Sequence, residues 1–183
     1  MSKVYVFLAD GFEEVEGLTV VDMLRRAKVD LTTVSIMGRK EVTGRSNITV
    51  MADYLYEETA SFADGDMLVL PGGMPGTTYL EEYAPLRQLI LDYDKQEKRL
   101  AAICAAPSVF GKMGLLKGRK ATCYPGMEDL LLEAIPVLDK AVTDGHYTTS
   151  RGLGTAIEFS LELISLLEGP EVAKNVAESV VFA

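Results

Sequence analysis

Short apolar runs alternate with stretches of helical period, and this alternation limits the folds open to the chain. Lys3 to Ala9, Asp30 to Met37, Met67 to Leu70 and Leu100 to Ile103 read as strands, the second mixing Thr and Ser with apolar residues and the others mostly apolar. Between them, Glu13 to Ala27 and Tyr79 to Glu97 repeat apolar residues at a period of 3.6. Strands alternating with helices predict βαβ units and a mostly parallel sheet covered on both faces, an α/β architecture. Gly38 to Met51 reads as a hairpin or edge excursion, Ala121 to Tyr124 as a short strand, and Ala141 to Thr149 as a hairpin around Asp144-Gly145. Glu128 to Ala134 reads as a helical turn or two, and Ala156 to Leu167 and Glu171 to Val180 as two closing helices. With 183 residues, no internal repeat and no Pro-, Gly- or Ser-rich linker, a single domain spanning 1–183 is expected.

In a sheet of this kind, sites form beyond the carboxyl ends of the strands. Three loops fall there: Asp10 to Glu16, Pro71 to Gly76, and Ile103 to Ala106. The last is the sharpest corner, with an apolar run stopping at Cys104 and small residues with Pro107 opening a helix. A helix N-terminus favours negative charge, so the thiolate of Cys104 is expected to be stabilised and its pKa lowered. The opposing reading is a small, inert, buried residue. Glu16 is the notable carboxylate nearby. It is either a first-turn acid complementing the helix dipole, as Glu13 and Glu14 are expected to be, or a buried protonated acid sharing a proton with Cys104. Gly72-Gly73 serves as a tight strand exit or as part of an oxyanion pocket, in which the amides of Gly73 and Ala105 face a developing negative oxygen.

A formal net charge of −9, with no local basic cluster, argues against nucleic acid or an anionic membrane as partner. No apolar run is long enough to cross a bilayer, and the first residues run straight into a strand without a signal-peptide pattern. Two cysteines and one histidine make neither a disulfide framework nor a zinc site, so a reducing cytoplasm and no metal are expected.

Four segments together resemble the ThiJ/PfpI superfamily, in the branch of the parkinsonism-associated deglycases and their bacterial YajL-like relatives: Leu8 to Glu16, Val69 to Gly73, Ala101 to Pro107, and Thr149 to Thr155. The resemblance implies a flavodoxin-like three-layer sandwich, a homodimer, and an easily oxidised cysteine on a strained elbow, which is Cys104 here. It implies Glu16 as the protonated glutamate and Gly73 and Ala105 as amide donors, with Gly72 beside them. It places Arg26 near the partner's site in the dimer, and Arg45 and the Ser150–Gly152 segment, including Arg151, along the pocket. Relatives' histidine positions are filled here by Ala105 and by Tyr124, and His146 falls on the hairpin, so neither a Cys-His protease nor a glutamine-amidotransferase mechanism is expected. Tyr124 remains available to hydrogen-bond a substrate, and Cys123 reads as a strand residue rather than a resolving thiol.

The expected activity is a cofactor-free glyoxalase/deglycase reaction on a small carbonyl compound such as methylglyoxal, or on its early thiol and amine adducts. The alternative is a redox-responsive stress protein or chaperone using the same cysteine. A peptidase or thiazole-biosynthesis role is weaker, since the sequence has neither a suitable histidine nor a phosphate-binding glycine loop.

Overall fold

Alternation along the first apolar run explains how the sheet is covered. Val4, Val6 and Leu8 of β1 (Lys3–Leu8) enter one hydrophobic cluster, while Tyr5 and Phe7 enter a second on the opposite face. A computed structural model describes residues 1–182. In it, β1 lies inside a seven-stranded sheet with β6 (Met67–Leu70) on one side and β2 (Asp30–Ser35) on the other. Beyond β6 come β7 (Arg99–Ile103), β11 (Tyr147–Ser150) and β10 (Ala141–Asp144), and beyond β2 lies β5 (Tyr54–Leu55). Every pairing is parallel except the β10–β11 hairpin, which turns at Gly145. The mostly parallel α/β sheet read from the sequence is therefore present, with one antiparallel edge strand.

Helices α1 (Glu14–Arg26), α5 (Ala156–Glu168) and α6 (Pro170–Ser179) close the face that holds Val4. Helices α2 (Gly76–Glu82), α3 (Ala84–Lys95) and α4 (Pro107–Lys112) close the other. The excursion at Gly38–Met51 is an antiparallel hairpin of β3 (Glu41–Thr43) and β4 (Thr49–Met51).

Two expectations need correction. The helix expected over Tyr79–Glu97 is two helices, α2 and α3, parted at Tyr83, whose ψ of 97° leaves the helical region. Pro85, in the first turn of α3, lacks an N–H and its ring excludes the carbonyl four residues earlier, so no helix runs through it. The strand expected over Ala121–Tyr124 is only β8 (Lys120–Ala121), paired with β9 (Ile135–Pro136). The next amides are diverted: Thr122 donates to Oγ1 of Thr149 at 2.9 Å, and Tyr124 to the Cys104 carbonyl at 2.8 Å.

The register sets where chemistry can gather. Leu70 lies beside Ala102, and Ser150 beside Ile103, so β6, β7 and β11 end together. The chain leaving each of them enters one shared rim.

Candidate active site

Cys104 is the first residue past β7, and its backbone is bent into the left-handed region, with φ +66°. A residue carrying a Cβ pays about 1–2 kcal/mol for that conformation. Two hydrogen bonds hold it there. Its amide donates to the Ser150 carbonyl at 2.9 Å, and its carbonyl accepts the Tyr124 amide at 2.8 Å. The bend turns the side chain out of the strand and toward the rim, where the thiol is partly exposed. The reading of Cys104 as an inert core residue does not fit this placement.

Glu16 enters from the first turn of α1 and is 1% exposed. Its Oε2 accepts the Gly72 amide at 3.0 Å. The carboxyl group also interacts with the Cys104 thiol, so the two side chains form one polar unit. Gly72 packs closely against both: a Cβ there would lie 2.6 Å from the Cys104 Cβ and 2.6 Å from Oε2 of Glu16. Gly73 follows with φ +90°, and a Cβ on it would press to 2.3 Å from the Glu13 amide nitrogen. The Gly73 and Ala105 amides both act to lower the pKa of the Cys104 thiol. The structure thus places Cys104, Glu16, Gly72, Gly73 and Ala105 together.

Burial pushes the Glu16 carboxyl up to about 7; contact with the Cys104 thiol opposes this, the Glu13 charge adds to it, and the Gly72 amide and Arg45 oppose it further. Burial, with the charge and acceptor oxygen of Glu16, pushes the Cys104 thiol up to about 12, against the Ala105 and Gly73 amides. Burial and the ionised carboxylate thus oppose the lowering expected of a helix terminus. The helix α4 has six residues and begins at Pro107, and it does not offset desolvation and a neighbouring carboxylate. The upward push from Glu16 exists only while Glu16 is ionised. Moving the remaining proton from sulfur to carboxyl keeps the net charge at one and turns Glu16 into a donor toward sulfur. The pair is one coupled acid: thiolate with carboxyl, or thiol with carboxylate.

Around this centre, Nη1 of Arg45 reaches Oε2 of Glu13 at 3.5 Å. Tyr124 is 51% exposed beside the site, its ring 3.6 Å from where a Cβ on Gly152 would stand; that same point is 3.8 Å from Oε1 of Glu16 and 3.9 Å from the Cys104 sulfur. Arg151 leads into Gly152 and is half-buried. Arg26 is not brought to the site by this chain. It pairs with Asp22 on the exposed side of α1, about 15 Å along the helix from Glu16. Cys123 is buried after β8 rather than within it. His146 lies at the opposite edge of the sheet, its Nε2 2.9 Å from Asp94. No group of three or more His, Cys, Asp or Glu side chains among the described residues could hold a metal ion. No helix among them is long and apolar enough to cross a membrane.

Glu13 and Glu14, at the start of α1, are both buried. Oε1 of Glu14 accepts the amides of Ser46 at 2.8 Å and Ile48 at 3.3 Å, and Asp10 accepts the Thr43 amide at 3.0 Å. Together they fasten the β3–β4 hairpin, and Arg45 with it, over the site. A sequence signal for Glu14 existed: the period that buries Gly17, Val21 and Leu24 buries position 14 as well.

Comparison with known proteins places this geometry in context. The DJ-1/PfpI family description matches residues 2–166. Protein DJ-1 homolog B of Arabidopsis thaliana is 39% identical over 181 residues, which is 98% of this chain; the chain spans 41% of that relative's length. A deglycase of Pyrococcus abyssi (strain GE5 / Orsay) is 31% identical over 169 residues, covering 91% of this chain and 99% of the relative. The solved structure of oxidized Toxoplasma gondii DJ-1 matches with a TM-score of 0.93 at 34% identity, covering 100% of both chains.

Proposed function

The chain belongs to the DJ-1/PfpI family, and we propose that it is a cysteine-dependent enzyme of the glyoxalase/deglycase type acting on small dicarbonyls such as methylglyoxal, or on their early adducts with thiols and amines. One observation carries the proposal: a partly exposed cysteine on a left-handed elbow, coupled to a buried carboxyl and faced by two amides. The deglycase among the relatives supports the same reaction class.

The chemistry runs from the state in which Glu16 holds the proton. The Cys104 thiolate adds to the aldehyde carbon, and the carbonyl π electrons move to oxygen. The Gly73 and Ala105 amides, which face the sulfur in the free protein, lie beside the oxyanion that forms. Glu16 delivers its proton to that oxygen and becomes a carboxylate. It then removes the proton from the former aldehyde carbon, giving an enediolate, and returns it to the adjacent carbon while the hydroxyl proton passes from the former aldehyde oxygen to the ketone oxygen. The aldehyde carbon is oxidised to a thioester while the neighbouring ketone is reduced to an alcohol, so no external electron carrier enters. Water cleaves the thioester to lactate and frees the thiol. Tyr124 and Arg151, at the mouth, and Arg45, above Glu13, orient the substrate.

We take the working unit to be a homodimer. Val15 and Leu18 of α1 are 46% and 37% exposed, an apolar face for a second copy, and Arg26 lies on the same helix. A single domain, 1–183, and the reducing cytoplasm fit two unpaired cysteines.

A second reading is favoured by the partial exposure of the sulfur and the amides facing it, and by the similarity to an oxidized structure. Oxidation of Cys104 to a sulfinate, held by those amides and by protonated Glu16, makes the same pocket a sensor. Lactate production from methylglyoxal, lost in Cys104→Ala, supports the enzyme. Selective gain of two oxygens at Cys104 under mild peroxide, with no turnover by the reduced protein, supports the sensor.

A further inference from the structure

At the other edge of the sheet, where the parallel strands begin, the chain carries an open cleft of ≈ 550 Å³ lined by Asp66, Glu97, Lys98, Arg99, Arg119 and His146. Arg99 opens β7 and Cys104 follows its last residue, so strand rise alone puts the cleft about 16 Å from Cys104.

Arg99 is half-buried, yet among the described residues its guanidinium meets no carboxylate at ion-pair distance and makes no hydrogen bond. Its five N–H donors are free of protein acceptors and open to a ligand in the cleft. Arg119 is held flat, its guanidinium 5.0 Å from the centre of the Tyr147 ring, and its nearest carboxylate oxygen, on Asp144, is 3.7 Å away. Its Nη1 lies against the turn at Gly145, where a Cβ would stand only 2.4 Å from it. His146 is oriented by Asp94, which accepts from its Nε2 at 2.9 Å and also from the Tyr147 hydroxyl. Its Nδ1 has no hydrogen-bond partner among the described residues. Lys98 is already spent on the carbonyls of Ala63 and Gly65, at 2.5 and 3.0 Å, so it contributes charge rather than a contact.

We propose that this cleft binds a phosphorylated polyol, with its phosphate between Arg99 and Arg119 and its hydroxyls on Asp66, Glu97 and Nδ1 of His146. Two guanidiniums can each present a fork of two donors to phosphate oxygens. A bare anion would be opposed by the two exposed carboxylates on the rim, whereas a polyol phosphate uses them as hydroxyl acceptors. The volume falls in the range of small-molecule sites. The proposal is independent of the chemistry at Cys104.

His146 is the one histidine in the chain, so its ring gives a single NMR reporter inside the cleft. The full-length protein, labelled at histidine, is titrated with ribose 5-phosphate, inorganic phosphate and ribose at fixed pH and ionic strength. Saturable shifts with ribose 5-phosphate, at a half-saturation about tenfold below that of phosphate, with none from ribose, are expected. Arg99→Ala should weaken binding at least about tenfold, with Arg99→Lys recovering part of it. Asp66→Asn should weaken ribose 5-phosphate but not inorganic phosphate, and thermal melts check that each variant folds. No saturation in the millimolar range, equal binding of phosphate and ribose 5-phosphate, or unchanged binding in folded Arg99→Ala and Arg99→Lys overturns the proposal. Methylglyoxal turnover should be unchanged in all three variants.

Discussion

The backbone amide of Gly72 and Oε2 of Glu16 are joined at 3.0 Å, and this one bond fixes the carboxyl group while Gly72 packs closely against both Glu16 and Cys104. The carboxyl is anchored by main chain, not by a mobile side chain, so it can exchange a proton with sulfur without moving.

Gly72→Ala tests that arrangement. The added methyl would stand 2.6 Å from both the Cys104 Cβ and Oε2 of Glu16, and nearby is the Ile103 carbonyl oxygen at 2.9 Å. We expect turnover of methylglyoxal to fall at least about a hundredfold and stability to fall by about 1–3 kcal/mol, read from lactate assays and denaturant midpoints. Near-normal lactate formation in the folded variant would show that this close packing is not needed.

Glu16→Gln keeps an oxygen for the Gly72 amide but cannot carry a proton between carbons. A loss of about 10²–10⁴ in kcat is expected, with the smaller effect on KM. Equal losses in kcat and in the affinity for substrate would point to a binding role instead.

Stability should also depend on pH through Glu16. Its carboxyl is raised in the fold from 4.5 to about 7, so the folded protein binds this proton more tightly than the unfolded chain. Its contribution is full below the unfolded value and is lost as pH rises through about 7. Wild type should therefore lose stability relative to Glu16→Gln between those two pH values, by a few kcal/mol at most, and track it above them. Denaturant midpoints across that interval give the difference directly; a constant gap would contradict a buried, protonated Glu16.

Glu14→Ala removes the acceptor of the Ser46 and Ile48 amides. Losing a buried acceptor for two amides is expected to destabilise the fold by about 1–3 kcal/mol. Residues 44–48 should become the first site of limited proteolysis, and KM should rise as Arg45 loses its place above Glu13. Proteolysis unchanged at that loop would show that Asp10 and the backbone bonds from Gly11 to Thr43 and from Arg45 to Phe12 suffice to secure the hairpin.

Leu18→Arg puts a charge on the apolar face of α1. Sedimentation should change from dimer to monomer while the far-ultraviolet spectrum is kept. A wild-type monomer at micromolar concentration would end the dimer proposal.

What could be read in the sequence, and what could not, follows from the range of each interaction. Val4, Tyr5, Val6 and Phe7 declare a strand covered on both faces because the alternation of side chains is local. The corner at Cys104 is legible for the same reason: an apolar run meets Pro107 within four residues. The break at Tyr83 was also local, but the amphipathic pattern running on through Leu86 and Ile90 masked Pro85. The partners of Glu14, Ser46 and Ile48, lie more than thirty residues away and are backbone amides that no side-chain pattern announces. The helix terminus beside the Cys104 thiol can be seen in sequence, whereas the depth of burial that opposes it cannot. Arg26 has no role inside one chain, so only a second copy could reveal one.

The most direct measurement is the rate of Cys104 alkylation by iodoacetamide against pH, in wild type and Glu16→Gln, with Cys104→Ala controlling for Cys123. Shared-proton coupling predicts that wild-type reactivity rises through an inflection at or below about pH 7, as the pair loses its first proton to a thiolate–carboxyl state. In Glu16→Gln that inflection should move up by at least about one unit, because the neutral amide cannot take the sulfur's proton. A wild-type thiol that stays unreactive until well above pH 9, or one that titrates identically in Glu16→Gln, would contradict the shared proton and the chemistry built on it.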